Sequence, residues 1–181
     1  MNEMSLIQQA KAGVTSCFSQ LVVLYQQRLY QYLLARCHNS YDAEDVLQDT
    51  FISAYKYIHS YQSQWKFSTW LFTIANRLIK KQHCLYYQHD ELNESLIENT
   101  SDHSIDRNNL WIQIKNSIKP EAYDVLWFYY IEELNIKEIA KILQRSQSWV
   151  KISLFRSKKK LAKSQNMKNL SKDYLMQGIV L

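Results

Sequence analysis

The sequence predicts an all-α fold, organised as two small helical domains joined by an acidic, flexible linker. Three observations carry that expectation. Only 2 Gly and 1 Pro occur in 181 residues, so few positions break a helix. Apolar residues recur at spacings of three and four, and β-branched residues are scattered rather than alternating with polar ones. Between Gln82 and Asp106 there is no Lys or Arg, six acids occur (Asp90, Glu91, Glu94, Glu98, Asp102, Asp106), and no apolar period is sustained. The expected division is therefore a domain at 1–85, a linker at 86–106, a second domain at 107–165 and a tail at 166–181.

The elements follow in order. A first helix is expected at about 5–12. A second runs from near Thr15 to about His38, with Phe18, Leu21, Val22, Tyr25, Leu29, Tyr32 and Leu33 on one stripe. Ser40 or Asp42 opens a third, which reaches about His59 and turns Ala43, Val46, Leu47, Phe51, Ala54 and Ile58 inward. Its other face carries Asp42, Glu44, Asp45, Gln48 and Asp49. A polar and aromatic loop follows, from Tyr61 to Phe67, and Ser68 is read as the cap of a fourth helix to about Leu85. Trp70, Leu71 and Phe72 are assigned to its packing face.

The second domain opens with a helix at about 108–118, and Pro120 starts the next. After the apolar run 125–131 comes NIKEIAKILQRSQSWVKISLFRSKKKL at 135–161. Asn135 with Glu138 has the spacing of a capping box, and Ile139, Ala140, Ile142 and Leu143 form an apolar face. Ser146 is a second cap candidate, and Val150, Leu154, Ser157 and Leu161 share one face of the helix that follows. Two short helices at a tight turn, the second basic, have the form of a helix-turn-helix that enters a DNA major groove. The plain alternative is a helical hairpin with a solvated lysine face.

Charge supports the first form. Residues 1–109 hold nine Lys/Arg and eleven Asp/Glu, a net −2, whereas 110–181 hold thirteen and six, a net +7. A basic half is the electrostatic footprint of a polyanion binder. Other classes find little support. Cys17, Cys37 and Cys84 show no metal-ligand spacing and, with no signal peptide, point to a reducing cytoplasm. No cofactor or metal is expected, and no membrane insertion, because the longest apolar run is far too short to span a bilayer. No paired-carboxylate pocket, nucleophile elbow or glycine-rich phosphate loop is present, so an enzyme is not expected.

The motifs DAEDVLQDTFISAYKYI at 42–58 and FSTWLFTIANRL at 67–78 resemble region two of bacterial extracytoplasmic-function (ECF) sigma factors. The block from Ile118 to Leu161 resembles their region four. The two occur in the family's order and spacing. The resemblance implies a cytoplasmic, nucleoid-associated initiation factor, with core RNA polymerase and promoter DNA as partners and an anti-sigma factor as a further one. It assigns Asp42, Asp45, Gln48 and Asp49 to polymerase docking, where a carboxylate strip can meet arginine forks. It assigns the upstream element and its melting to Tyr61, Gln62, Gln64, Trp65, Lys66, Phe67, Arg77, Lys80 and Lys81. Aromatic faces with a basic track are what an unstacked base requires. In the second domain, Arg145, Gln147, Ser148, Trp149 and Lys151 fall nearest the bases, and Arg156, Lys158, Lys159 and Lys160 suit phosphates. The acidic linker reads equally as a nucleic-acid mimic near the active centre or as a passive tether.

Departures from the family pattern limit what transfers. Arg77 follows Asn76, Lys81 stands where an Asp is usual, Gln144 replaces a turn glycine, Arg145 an apolar turn residue, Trp149 a Thr and Ser153 an Arg. The bases read are therefore not carried over. The competing reading is a dimeric helix-turn-helix regulator that acts without polymerase docking, which leaves the acidic strip at 42–58 without a use.

Overall fold

The structure is a computed structural model describing residues 2–37, 39–89, 111 and 114–163, and every described element is helical or a turn. The chain divides into two compact units, Met1–Asn99 and Thr100–Leu181.

The first unit holds α1 (Glu3–Lys11), α2 (Thr15–Arg36), α3 (Ser40–Lys56), a 3-10 turn (Ile58–Ser60) and α4 (Phe67–His89). Successive helices pack on one another: α1 on α2, α2 on α3, α3 on α4. Each start has a chemical cause. The Asn2 side chain accepts from the Ser5 N–H at 2.9 Å, and the Asn39 side chain accepts from the Asp42 N–H at 2.8 Å. Ser40 is thus the first residue of α3, and its cap is Asn39. The α1–α2 turn uses Gly13 at φ +91°, a conformation that a side chain strains even where space is open.

The α2 stripe is buried as the spacing predicts, except that Val22 is half-buried. Leu21, Leu29, Tyr32 and Leu33 are fully enclosed. Burying each leucine contributes about 1.5–3 kcal/mol. On α3, Ala43, Val46, Ala54 and, beyond its end, Ile58 are buried, whereas Leu47 and Phe51 are half-exposed. Thr50 is fully buried, and its hydroxyl is satisfied by donating to the Val46 carbonyl at 2.6 Å.

Helix α4 differs from expectation at both ends. It starts at Phe67, and the Trp70 N–H donates to the Lys66 carbonyl at 3.3 Å. Ser68 is therefore buried in the first turn instead of capping it. At the other end the helix continues to His89, so 86–89, expected as linker, are helical. The rest of the expected linker, 90–106, and the tail 166–181 lie outside the described residues.

The second unit has helical backbone at 111 and 114–117, then α5 (Pro120–Tyr130), α6 (Ile136–Leu143) and α7 (Gln147–Lys163). Pro120 occupies the first turn of α5, where its missing N–H has no intrahelical partner to lose. The capping box forms in full: Glu138 N–H donates to Asn135 Oδ1 and Asn135 N–H to Glu138 Oε2, each at 3.0 Å. Helix α6 ends at Gln144, which is left-handed (φ 57°, ψ 45°), and the Arg145 N–H then returns to the Ala140 carbonyl at 3.1 Å. Ser146 Oγ accepts from the Trp149 N–H at 3.1 Å and starts α7. The predicted cores of α6 and α7 are both buried.

Two substitutions at this turn should move stability in opposite directions. Asn135→Ala removes a cap and should cost about 1 kcal/mol. Gln144→Gly relieves a left-handed side chain and should gain about 0.5–1 kcal/mol. Urea unfolding followed by Trp fluorescence checks both signs.

Candidate nucleic-acid interface

The outward face of α3 carries Asp45, Gln48 and Asp49, all exposed. The fourth residue expected there stands apart. Asp42 is only 9% exposed, and its Oδ2 accepts from Asn39 Nδ2 at 3.2 Å, because it lies in the turn that Asn39 caps. Two apolar residues missed in the sequence extend the strip: Tyr41 is 79% and Ile52 64% exposed. Tyr41, Asp45, Gln48 and Ile52 follow spacings of four, three and four, which is one helix face.

The loop that follows is built around Tyr61. Its phenol donates to the Trp65 carbonyl at 2.8 Å, and its own carbonyl accepts from Lys11 Nζ at 2.6 Å. Its ring meets those of Phe67 at 5.5 Å and Trp70 at 5.7 Å, and Phe67 meets Tyr25 of α2 at 5.4 Å. Burial, and then Glu3, raise the Tyr61 phenol above its ordinary pKa, so it stays a donor. Tyr61 and Phe67 are 4% and 2% exposed. The sequence expects a base face at Tyr61 and divides evenly between a base face and the core at Phe67; both are enclosed in this cluster. Trp65 is half-exposed, and Gln62, Gln64 and Lys66 are exposed. On α4, Arg77, Lys80 and Lys81 are exposed at spacings of three and one, forming a basic patch on one side of the helix.

In the second unit, α7 buries Val150, Leu154, Ser157 and Leu161. Directly opposite that line run Ser148, Ile152, Phe155 and Lys159, at spacings of four, three and four. Ile152 is 49% and Phe155 66% exposed. The sequence reading passed over this pair, although counting outward from the core positions finds it. Gln147 and Lys151, also exposed, share a stripe beside the core line, and Arg156 lies on the opposite flank.

Three expected DNA contacts, Arg145, Trp149 and Lys158, are engaged within the unit. Arg145 donates to Glu121 of α5 at 2.5 Å and sits 5.3 Å from the centre of the half-exposed Trp149 ring. Both members of that ion pair are about half exposed, so it adds little stability. The Lys158 ammonium lies 5.6 Å and 5.3 Å from the ring centres of Tyr129 and Tyr130, because the end of α5 packs beside α7. Lys159 and Lys160 are exposed. Among the described residues, no group of three or more His, Cys, Asp or Glu could hold a metal ion, and no helix is long and apolar enough to cross a membrane.

Comparison with known proteins adds an independent finding. Residues 21–83 match Sigma-70 region 2, and residues 112–161 match Sigma-70 region 4. The chain is 31% identical over 175 residues to the ECF RNA polymerase sigma factor SigW of Bacillus subtilis, covering 87% of this chain and 93% of SigW. It is 30% identical over 145 residues to SigM of the same organism, covering 76% of this chain and 88% of SigM. Among solved structures, its fold is similar to the sigma factor RpoE of Bartonella quintana, crystallised with the anti-sigma factor NepR. That match has a TM-score of 0.70 at 19% identity and covers 86% of this chain and 96% of that one. CnrH, solved with the cytosolic domain of CnrY, matches with a TM-score of 0.63 at 21% identity, over 87% and 92% of the two chains.

The ring cluster and the half-exposed tryptophan separate by substitution. Phe67→Ala should cost about 3–5 kcal/mol, the usual range for an enclosed phenylalanine. Trp65→Ala should cost about 1 kcal/mol, because the Trp65 carbonyl that holds Tyr61 is retained. Thermal unfolding of the two variants measures the gap.

Proposed function

The chain belongs to the ECF family of RNA polymerase sigma factors, and from that premise we propose which of its surfaces carry each step of initiation. It binds core RNA polymerase and directs it to promoters. The acidic strip of α3 (Asp45, Gln48, Asp49) docks on a basic surface of the polymerase, with Tyr41 and Ile52 as apolar contacts at either end. What carries this assignment is the separation of charge and exposure. Exposed carboxylates gather on one helix of the first unit, and exposed cations gather on α7 and α4.

The loop 61–67 and the patch Arg77, Lys80 and Lys81 act on the upstream element. Trp65 supplies the stacking face there, and Tyr61 and Phe67 hold the loop in shape. Helix α7 enters the major groove of the distal element. Ser148, Ile152 and Phe155 face the base edges, Gln147 and Lys151 reach them from one flank, and Arg156, Lys159 and Lys160 meet phosphates. Ile152 and Phe155 suit the methyl group of thymine, the one apolar feature of a base edge.

No catalytic step is assigned to the chain. Its work is done with polymerase on DNA in the cytoplasm. Regulation by an anti-sigma factor, the kind of partner found with RpoE, is part of the same reading. A dimeric regulator acting without polymerase is not favoured, because it leaves the α3 strip idle.

Two experiments test these assignments. Asp45→Arg combined with Asp49→Arg should abolish co-purification with core polymerase while helical content, read by circular dichroism, is kept. A folded double variant that still co-purifies would remove α3 from the interface. For α7, each thymine of the distal element is replaced in turn by deoxyuridine, which deletes only the methyl group. Each contacted methyl should be worth about fourfold in holoenzyme affinity. Ile152→Ala and Phe155→Ala should erase that sensitivity at their own positions, whereas Lys160→Ala should weaken all sequences alike and lower the salt slope by roughly one unit. Methyl sensitivity that persists in both apolar variants would assign the contact to other residues.

A further inference from the structure

The start of α7 carries no charge of its own. Its first three residues, Gln147, Ser148 and Trp149, are neutral, and the cation that precedes them is Arg145 of the turn. That arginine has two partners. Its guanidinium donates to Glu121 Oε1 at 2.5 Å and lies 5.3 Å from the centre of the Trp149 ring. Glu121 stands in the first turn of α5, directly after Pro120, where the unpaired N–H groups of the helix start favour a carboxylate. The start of one helix thus holds the arginine that precedes the start of the other.

A carboxylate is out of place on a surface that meets DNA. Residues 114–163 contain five acids, and three of them, Asp124, Glu132 and Glu138, are buried. Glu133 and Glu121 are exposed, and of these two it is Glu121 that bonds the turn. Both members of the pair are about half exposed, so it contributes little to stability. What it fixes is the direction of the guanidinium. A loose arginine here would grip phosphates of any sequence, and phosphate contacts carry no sequence information. Charge for the backbone is already present further along α7, on exposed Lys151, Arg156, Lys159 and Lys160.

We propose that Glu121 is a positioning residue for recognition of the distal element. It holds Arg145 back from the DNA backbone, keeps the start of α7 neutral, and leaves the choice of sequence to hydrogen bonds and apolar contacts. This rests on the reading that α7 enters the groove of that element. Selectivity is gained by weakening binding to wrong sequences and not by a new contact to the right one. On the right sequence, base contacts hold α7 in register. On a wrong one the helix is free to shift to wherever a loose arginine finds a phosphate.

The test uses full-length protein in holoenzyme, on a promoter that it transcribes and on the same DNA with only the distal element scrambled. Affinity for each is measured over a range of salt concentrations. Glu121→Gln removes the charge and keeps the shape, and circular dichroism confirms that the variant is folded. It should tighten binding to the scrambled DNA about fivefold, the size of one good surface charge contact, and to the matched DNA by less than about twofold. The salt slope on the scrambled DNA should steepen by roughly one unit, which a merely structural change does not produce. In an Arg145→Met background, Glu121→Gln should leave the ratio of the two affinities as it was, because there is no guanidinium to release. An unchanged ratio in Glu121→Gln alone, or a loss of selectivity that persists in the Arg145→Met background, overturns the proposal while the assignment of α7 stands. If scrambling the distal element does not weaken binding by the unaltered protein, the assignment of α7 falls, and the role of Glu121 with it.

Discussion

One tyrosine organises the loop that joins α3 to α4 in the first unit. Tyr61 closes its loop from inside, phenol to the Trp65 carbonyl, and is held from outside by Lys11. Its ring joins Phe67 and Trp70 of α4, and through Phe67 it reaches Tyr25 of α2. A six-residue loop, 61–66, has too few side chains to form a core of its own. This one takes its rigidity from three helices, so its polar residues, Gln62, Ser63 and Gln64, are left outside on a fixed frame.

The second unit reaches the same end by punctuation. The Asn135–Glu138 box starts α6, left-handed Gln144 stops it, and the Ser146 hydroxyl starts α7. These three local decisions set the direction in which α7 leaves the turn. Val150, Leu154, Ser157 and Leu161 then fix its rotation about its own axis. The outward line of Ser148, Ile152, Phe155 and Lys159 follows from that rotation without any contact of its own.

Local patterns were legible in the sequence, and choices made by distant partners were not. The stripe on α2, the cores of α6 and α7, the capping box and the Pro120 start all rest on residues within about a turn of one another, and all are found save Val22 of the stripe. The burial of Tyr61 and Phe67 depends on Lys11 and Tyr25, which are remote in the chain. An aromatic loop has the same composition whether its rings point inward or out. The retreat of Asp42 from the docking strip was nearer to hand, since Asn39 stands three residues before it at capping spacing. Ile152 and Phe155 stand opposite the core line, just before the lysine run 158–160, where apolar residues have no local partner to mark them.

That apolar pair has a thermodynamic consequence. A helix gripping DNA only by phosphate contacts releases counterions, and its affinity is governed by salt. On the docking proposed for α7, moving Ile152 and Phe155 out of water adds a term of another kind, a negative change in heat capacity on association. The enthalpy of binding then becomes more negative as temperature rises. On that docking, these two exposed side chains give recognition of the distal element a part that added salt does not screen.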